Sequence, residues 1–370
     1  MGAFLKYSPA SSPSFTENFT IPSKINPSSV NAVGVLERLP SKLSVFPLLS
    51  SSSYNPDTMD LTDSHVQKYW IDLLEKNLSG LVEAALEWQW AGGSNTREDA
   101  QLRAAQFEKL YRGHLARLRK EPGVYGQLSV RSLLILREQC LHELGFTDIF
   151  EGVKRSENEA ALTMLPRVLE EIDSTPDELK LRLLLDHALA GNMYDWGSTH
   201  MLEMLRKGEL DFQSAKDKVT RSETYDNFLS LKARLERGIK YKKAVIFVDN
   251  SGADIVLGIL PFARYLLQKD IQIVLAANTF PSVNDVTANE LRDILTRVAK
   301  IDEDGFGRFV RNGRLKTIET GGGSPCLDLR RMSDELCKEC VDCDLVILEG
   351  MGRYVDLIIF IAIFWRQTNQ

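Results

Sequence analysis

The chain has 370 residues, 44% of them apolar and 26% charged, enough for one large core or two modest ones, which excludes disorder as the state of the whole. A net charge of -6 with no dense Lys/Arg run excludes attachment to nucleic acid or anionic lipid through bulk positive charge, but leaves room for a small anionic substrate in a local site. The longest apolar run, Leu357 to Trp365, is about half of what a helix needs to cross a bilayer, so no membrane span is predicted and the chain reads as cytoplasmic.

Residues 1–53 hold 13 serines and repeated prolines without a sustained period of 3.6 or 2. They read as a disordered tail or linker, of which only Val33 to Leu49, with Val35, Leu36, Leu39, Val45, Phe46 and Leu48, could dock onto the body. From Asp63 apolar residues recur every three or four positions, from Val66 to Leu86, and predict a helix with one buried face. A start signal at Thr96 to Asp99 opens a second helix that ends at Pro122-Gly123, and further helices are predicted at about 129–144, 150–172, 175–190, 198–207 and 223–237. At the start of the 175–190 helix, Thr175 and Glu178 are placed to cap the free backbone N–H groups. Residues 54–240 thus read as a helical domain.

At Lys242 the period changes. Ala244 to Val248 is a continuous apolar run suited to a strand buried on both faces. A helix at 253–268, a strand at Ile271 to Ala276, a helix at 287–299, a strand at Leu315 to Glu319, a helix at 328–340 and a strand at Leu345 to Leu348 follow. Strands alternating with helices of this length predict right-handed crossovers, so residues 241–353 read as a Rossmann-like parallel α/β/α sheet and the fold class as α/β. Residues 354–370 read as an apolar tail.

Ligands of open parallel sheets bind beyond the carboxyl ends of the strands. Those ends carry Asp249-Asn250-Ser251-Gly252, Asn278 to Asn284-Asp285, Thr320-Gly321-Gly322-Gly323-Ser324 and Glu349-Gly350-Met351-Gly352. Asp249, Asn250 and Asp285 offer the oxygen donors that Mg or Mn prefers, and predict a divalent metal site with positions left for water and substrate. Ser251, Gly322, Gly323, Ser324 and Glu349 are assigned to substrate contact, because glycines let backbone N–H groups approach an anion and a helix starting near Asp328 would add its positive end. The competing reading makes Asp249 a helix cap, and Asp254 a cap or a support for the ligands. No Gly-x-Gly-x-x-Gly or Lys-bearing nucleotide loop is present. Cys326, Cys337, Cys340 and Cys343 raise a zinc reading, but without a nearby His they fit reduced thiols at a helix end better, and the five histidines fit packing or surface roles.

The same strand ends resemble a known family. KKAVIFVDNSGADIVLGILP, VLAANTFPSVNDVT, TGGGSPCLDL and DLVILEGMGR, with Lys154, Glu157 and Asn158 in a K-x-x-E-N block and Ala190 to Gly197 in an A-G-N-x-x-D-W-G block, resemble the metal-dependent damage-control phosphatases over about 54–353. Within that family the likeness is to the phosphatase domain that follows the kinase domain of plant and animal pantothenate kinases. The resemblance implies Asp249, Asn250 and Asp285 as holders of a divalent cation (Mn, Co, Ni or Mg). It also implies Asn192 and Asp195 at the cleft, and phosphorylated metabolites as substrates, 4'-phosphopantetheine and its oxidised forms foremost. Asp249 acts either as a metal ligand that serves an attacking water or as the nucleophile itself, and the sequence leaves both open. Past Arg353 the chain departs from the family's pattern, which sets up the expectation that metal binding is retained while turnover is weak or absent. A catalytically dead metal-binding remnant and an S-adenosylmethionine-dependent carboxyl methyltransferase are the alternatives. No nucleic-acid or membrane partner is predicted, and the oligomeric state is left open.

Overall fold

The computed structural model describes residues 43–49, 54, 61, 63–92, 96–193, 228–236, 241–350 and 361–365. Strand β1 (Leu43–Ser44) is followed by helices α1 (Ser64–Lys76), α2 (Leu78–Gly92), α3 (Arg97–Lys120), α4 (Val130–Glu143), α5 (Glu151–Ser174), α6 (Asp177–Met193) and α7 (Phe228–Glu236). The predicted first helix is thus two, parted at Asn77, which caps the first with its N–H on the Leu73 and Glu75 carbonyls. Thr96 caps α3 as its sequence position implied, accepting from Asp99 N. Thr175, by contrast, closes α5, its hydroxyl donating to the Glu171 carbonyl. The helix expected at 198–207 lies outside the described residues.

The second half alternates as expected. Strand β2 (Lys243–Phe247) leads through a π-helical segment (Asp254–Ile259) into α8 (Leu260–Gln268), then β3 (Gln272–Ala277) and α9 (Ala288–Ile301). A second π-helical segment (Glu303–Gly307), α10 (Arg308–Arg311), β4 (Leu315–Glu319), β5 (Met332–Ser333), α11 (Asp334–Glu339), β6 (Leu345–Glu349) and β7 (Ile361–Trp365) complete it. The main sheet has the order β4-β3-β2-β6-β7, parallel except for the antiparallel edge strand β7 on β6. The helix predicted from residue 328 begins only at Asp334, because Met332 and Ser333 extend to pair with Leu43 and Ser44. A partner almost 300 residues away in the chain leaves no mark in local periodicity.

Alternating residues of the sheet face two layers. Ala244, Ile246, Val248, Ile273, Leu275 and Ile347 pack with α5, α6, α8 and α9. Val245, Phe247, Val274, Ala276, Val346 and Leu348 pack on the other side with Phe46, Leu336 and Cys337, Cys340 and Cys343. Phe46 meets Phe247 edge to face at 5.4 Å, so the stretch 43–49 docks on the sheet, as its apolar residues allowed. All five cysteines are buried free thiols. Helices α1 to α4 gather a cluster of their own around Phe107, Tyr111, Leu115 and Leu133.

Candidate functional site

From β2 the chain steps outward to β3 and β4, then returns to place β6 on the other side of β2. The strand order therefore reverses between β2 and β6, and such a switch point opens a crevice at the carboxyl ends of the strands. The loops that meet there are Asp249 to Gly252 after β2 and Glu349-Gly350 after β6, joined where Asp249 N donates to Glu349 Oε2 at 2.9 Å. Gly350 has φ of 93°, and a side chain there would overlap the Asp249 carboxylate.

The loop after β3 closes on the same place. Ser251 N donates to Asn284 O at 3.0 Å, Val286 N donates to Asp249 O at 2.9 Å, and Asn250 faces Asp285 across an isolated antiparallel bridge. Val283 in this loop has φ of 50°, a costly conformation for a β-branched residue, and the surrounding hydrogen bonds hold it. Asn278 Nδ2 donates to Asp285 Oδ2 at 2.9 Å and to Ser324 O at 3.3 Å, which ties the glycine-rich loop to the same cluster. In that loop the Gly321 and Gly322 N–H groups donate to the Thr279 and Thr320 hydroxyls, and Gly322 O accepts from Thr279 N and Phe280 N. The loop lies beside Asn278, but the helix that was to point at it starts at Asp334 and has six residues.

Asn192, at the end of α6, reaches the cleft. Its Nδ2 donates to Asp254 Oδ2 and Glu349 Oε1, both at 3.0 Å. Gly191 allows this close approach, since a Cβ there would lie 2.9 Å from the Asp254 Cα. Asp195 lies outside the described residues. Asn250 Nδ2 donates to Asp254 Oδ2 at 3.1 Å and to Asp249 Oδ2 at 3.3 Å, so its Oδ1 is the atom left for a ligand.

Asp249, Asp254 and Glu349 are buried and bring carboxylate oxygens within 4.8 Å of one another. Burial pushes Asp254 up to about 6, against the hydrogen bonds from Asn192 and Asn250 that favour its charge. Burial, and then repulsion from Asp254 and Asp249, lift Glu349 well above the usual carboxylate range. The Asp254 Oδ1 and Ser251 Oγ atoms are buried with no hydrogen-bond partner. Hard oxygen donors, crowded negative charge and orphaned polar atoms together fit a divalent cation. Among the described residues this acidic trio is the one His/Cys/Asp/Glu group that could hold a metal, and it contains no cysteine. Asp254 joins the cluster although sequence reading gave it a supporting place, because its carboxylate binds the side chains on either side of it.

Sequence reading passed over Arg137 on α4. Its buried guanidinium donates to Glu138 and faces the charge of Asp285. An arginine within an ordinary amphipathic helix carries no signal of such a neighbour.

A parallel sheet with acidic donors gathered at its switch point defines an α/β domain able to hold a metal beside an anion. The chain matches the Damage-control phosphatase ARMT1-like domain over residues 76–358, and it belongs to that family. It is 40% identical over 349 residues to pantothenate kinase 2 of Arabidopsis thaliana, covering 87% of this chain and 38% of that protein. It is also 40% identical over 298 residues to the 4'-phosphopantetheine phosphatase of Mus musculus, covering 80% and 36%. A damage-control phosphatase of Arabidopsis thaliana is 43% identical over 264 residues, covering 70% of this chain and 71% of its own. The chain spans about two fifths of the length of the first two. A crystal structure of a DUF89 family protein from Pyrococcus horikoshii superimposes with a TM-score of 0.51 at 18% identity, over 78% of this chain and 85% of that one, and supports the fold. Among the described residues no helix is long and apolar enough to cross a membrane.

Proposed function

We propose that the chain is a divalent-metal-dependent phosphatase acting on small phosphorylated metabolites, with 4'-phosphopantetheine and its oxidised derivatives as substrates. The observation that carries this reading is the convergence of Asp249, Asn250 and Asp285 from two adjacent strand ends, with Asp254 and Glu349 behind them. Asp249, Asn250 Oδ1 and Asp285 would hold the cation. When bound, that ion supplies electrostatic stabilisation of the phosphoryl group and an acidified water.

The chain's own groups set the rest. Asp254 and Asn192 orient Asn250 and Glu349, Gly350 leaves Asp249 its space, and Asn278 holds Asp285 and the Ser324 backbone in register. Ser251 Oγ, buried and unpartnered, is assigned to a phosphate oxygen, and Gly322, Gly323 and Ser324 to the substrate wall beside it. Asp195 is assigned to the cleft on the resemblance of its block. The names of the mouse and Arabidopsis relatives support the substrate class.

The test is phosphate release from 4'-phosphopantetheine with Mn, Co, Ni or Mg, alongside thermal unfolding with Mn. On this reading, as against that of a remnant with weak or absent turnover, the expected result is metal-dependent release and a raised Tm, about 2.7 kcal/mol of stabilisation at a hundredfold excess over Kd, both lost in Asp285→Ala. Release that persists in excess chelator and in Asp285→Ala overturns the metal-dependent reading.

A further inference from the structure

The K-x-x-E-N block, Lys154, Glu157 and Asn158, lies on the first turns of α5, and two of its three side chains have structural partners that explain them. Lys154 is fully buried, with its Nζ 2.9 Å from Asp148 and 2.8 Å from Glu290. Glu290 also accepts from Thr287 N and Oγ1, so this ion pair fixes the loop that carries Asp285. Asn158 Oδ1 accepts from Gly252 N at 2.7 Å and fixes the loop that carries Asp249 and Asn250. Positions i and i+4 of one helix thus hold both loops of the site.

Glu157 stands between them without such a duty. Its carboxyl is half-buried, and burial alone shifts it, with no ion pair or hydrogen bond to another described residue. It lies against Gly252, whose φ is 73°: a Cβ added there would come 2.9 Å from the Glu157 Cβ and 3.3 Å from its Oε2. Gly252 follows Ser251 directly, so the absence of a side chain at this one position gives the carboxyl its place beside the anion-facing end of the loop. A helix that spends Lys154 and Asn158 on holding the site, while presenting between them a carboxyl with no partner among the described residues, fits a residue kept for the substrate.

We propose that Glu157 is a catalytic residue of this site, the acid that protonates the leaving oxygen of the phosphate monoester. This rests on the phosphatase reading and deepens it. As water oxygen bonds to phosphorus, the bond from phosphorus to the ester oxygen breaks and its electron pair stays on that oxygen. The Glu157 carboxyl gives that oxygen its proton, and the water's second proton passes to the phosphate oxygens. The products are the alcohol, dihydrogen phosphate and the Glu157 carboxylate, which solvent reprotonates. The desolvation that surrounds the carboxyl pushes it up to about 7, so a large share carries the proton at neutral pH.

A general acid matters most when the leaving alcohol is a poor one, and a merely structural residue does not discriminate. The experiment measures kcat for the full chain and for Glu157→Gln, with Mn, over phosphate monoesters whose leaving groups run from p-nitrophenol to a simple alkanol. The expected loss in Glu157→Gln grows along the series, to about a hundredfold or more for the alkyl ester and at least tenfold less for the nitrophenyl ester. The Mn-induced rise in Tm is retained. Should Glu157→Gln fail to fold, Glu157→Ala serves in its place, with partial rescue by added acetic acid expected for alkyl esters.

Equal losses along the series, or none, overturn the role of Glu157 while leaving the phosphatase reading standing. A wild-type chain that hydrolyses no member with any of the four metals overturns both.

Discussion

At the scale of single residues, the site depends on atoms that are missing as much as on those present. Gly350 and Gly252 both have positive φ and both border a carboxyl group, Asp249 in one case and Glu157 in the other. A methyl group at Gly350 has nowhere to go, since the Asp249 carboxylate it would meet is also held by the Asn250 Nδ2 donor and the Asp249 backbone by Glu349. Gly350→Ala is expected to leave a folded protein that no longer gains thermal stability from Mn, with phosphate release reduced by about two orders of magnitude, the scale on which a displaced phosphoryl-site group acts. A normal Mn-dependent Tm shift in that variant would show that Asp249 is not a ligand. The carboxylates themselves were legible in sequence as polar residues just past buried strands. Their supports, Asn192 and Asn158, were visible only as members of blocks, because a hydrogen bond between residues 62 or more apart has no sequence period.

At the scale of elements, the docked stretch 43–49 shows how a segment too polar to fold alone still contributes. Phe46 is 2% exposed, while its neighbour Val45 is 58% exposed, so Phe46 is the deepest anchor of the segment, with Leu48 and Leu49 partly buried on the same cluster. β1 then pairs with β5, and Leu43 packs so near Gly321 that a Cβ there would lie 2.8 Å from the Leu43 Cδ2. Phe46→Ala should lower the free energy of unfolding by about 3 kcal/mol, the usual cost of emptying a large aromatic site, measured by denaturant titration at an unchanged m-value. A change under about 1 kcal/mol would mean that the segment is not held to the sheet. The strands β2, β3, β4 and β6 were readable because apolar runs bounded by turn residues have few other fates. The split at Asn77 and the late start of α11 were not, since the first rests on one cap and the second on pairing with β1.

At the scale of the whole molecule, burying an acid near the cleft costs stability that depends on pH. Burial raises Glu157 from 4.5 to about 7, so the folded state holds its proton more tightly than the unfolded one. The sign follows: this contribution is fully present below about 4.5 and is lost as pH rises through about 7. Glu157→Gln, neutral throughout, should match the wild type near pH 4 and exceed it by about 2 kcal/mol near pH 8 in unfolding free energy, after allowance for partial exposure. A difference that does not change with pH would mean that the carboxyl is solvated. By itself, the sequence determined the alternation of strand and helix, the buried character of the strands and the oxygen-rich strand ends, because each follows from local periodicity and from which residues break it. The tertiary structure decided which ends meet. Only the strand order sets Glu349 beside Asp249, only the packing of α6 brings Asn192 between Asp254 and Glu349, and only the placement of α5 turns Lys154, Glu157 and Asn158 onto the two loops. These contacts join positions about 60 to 160 apart, and distance along the chain carries no information about proximity until the sheet is assembled.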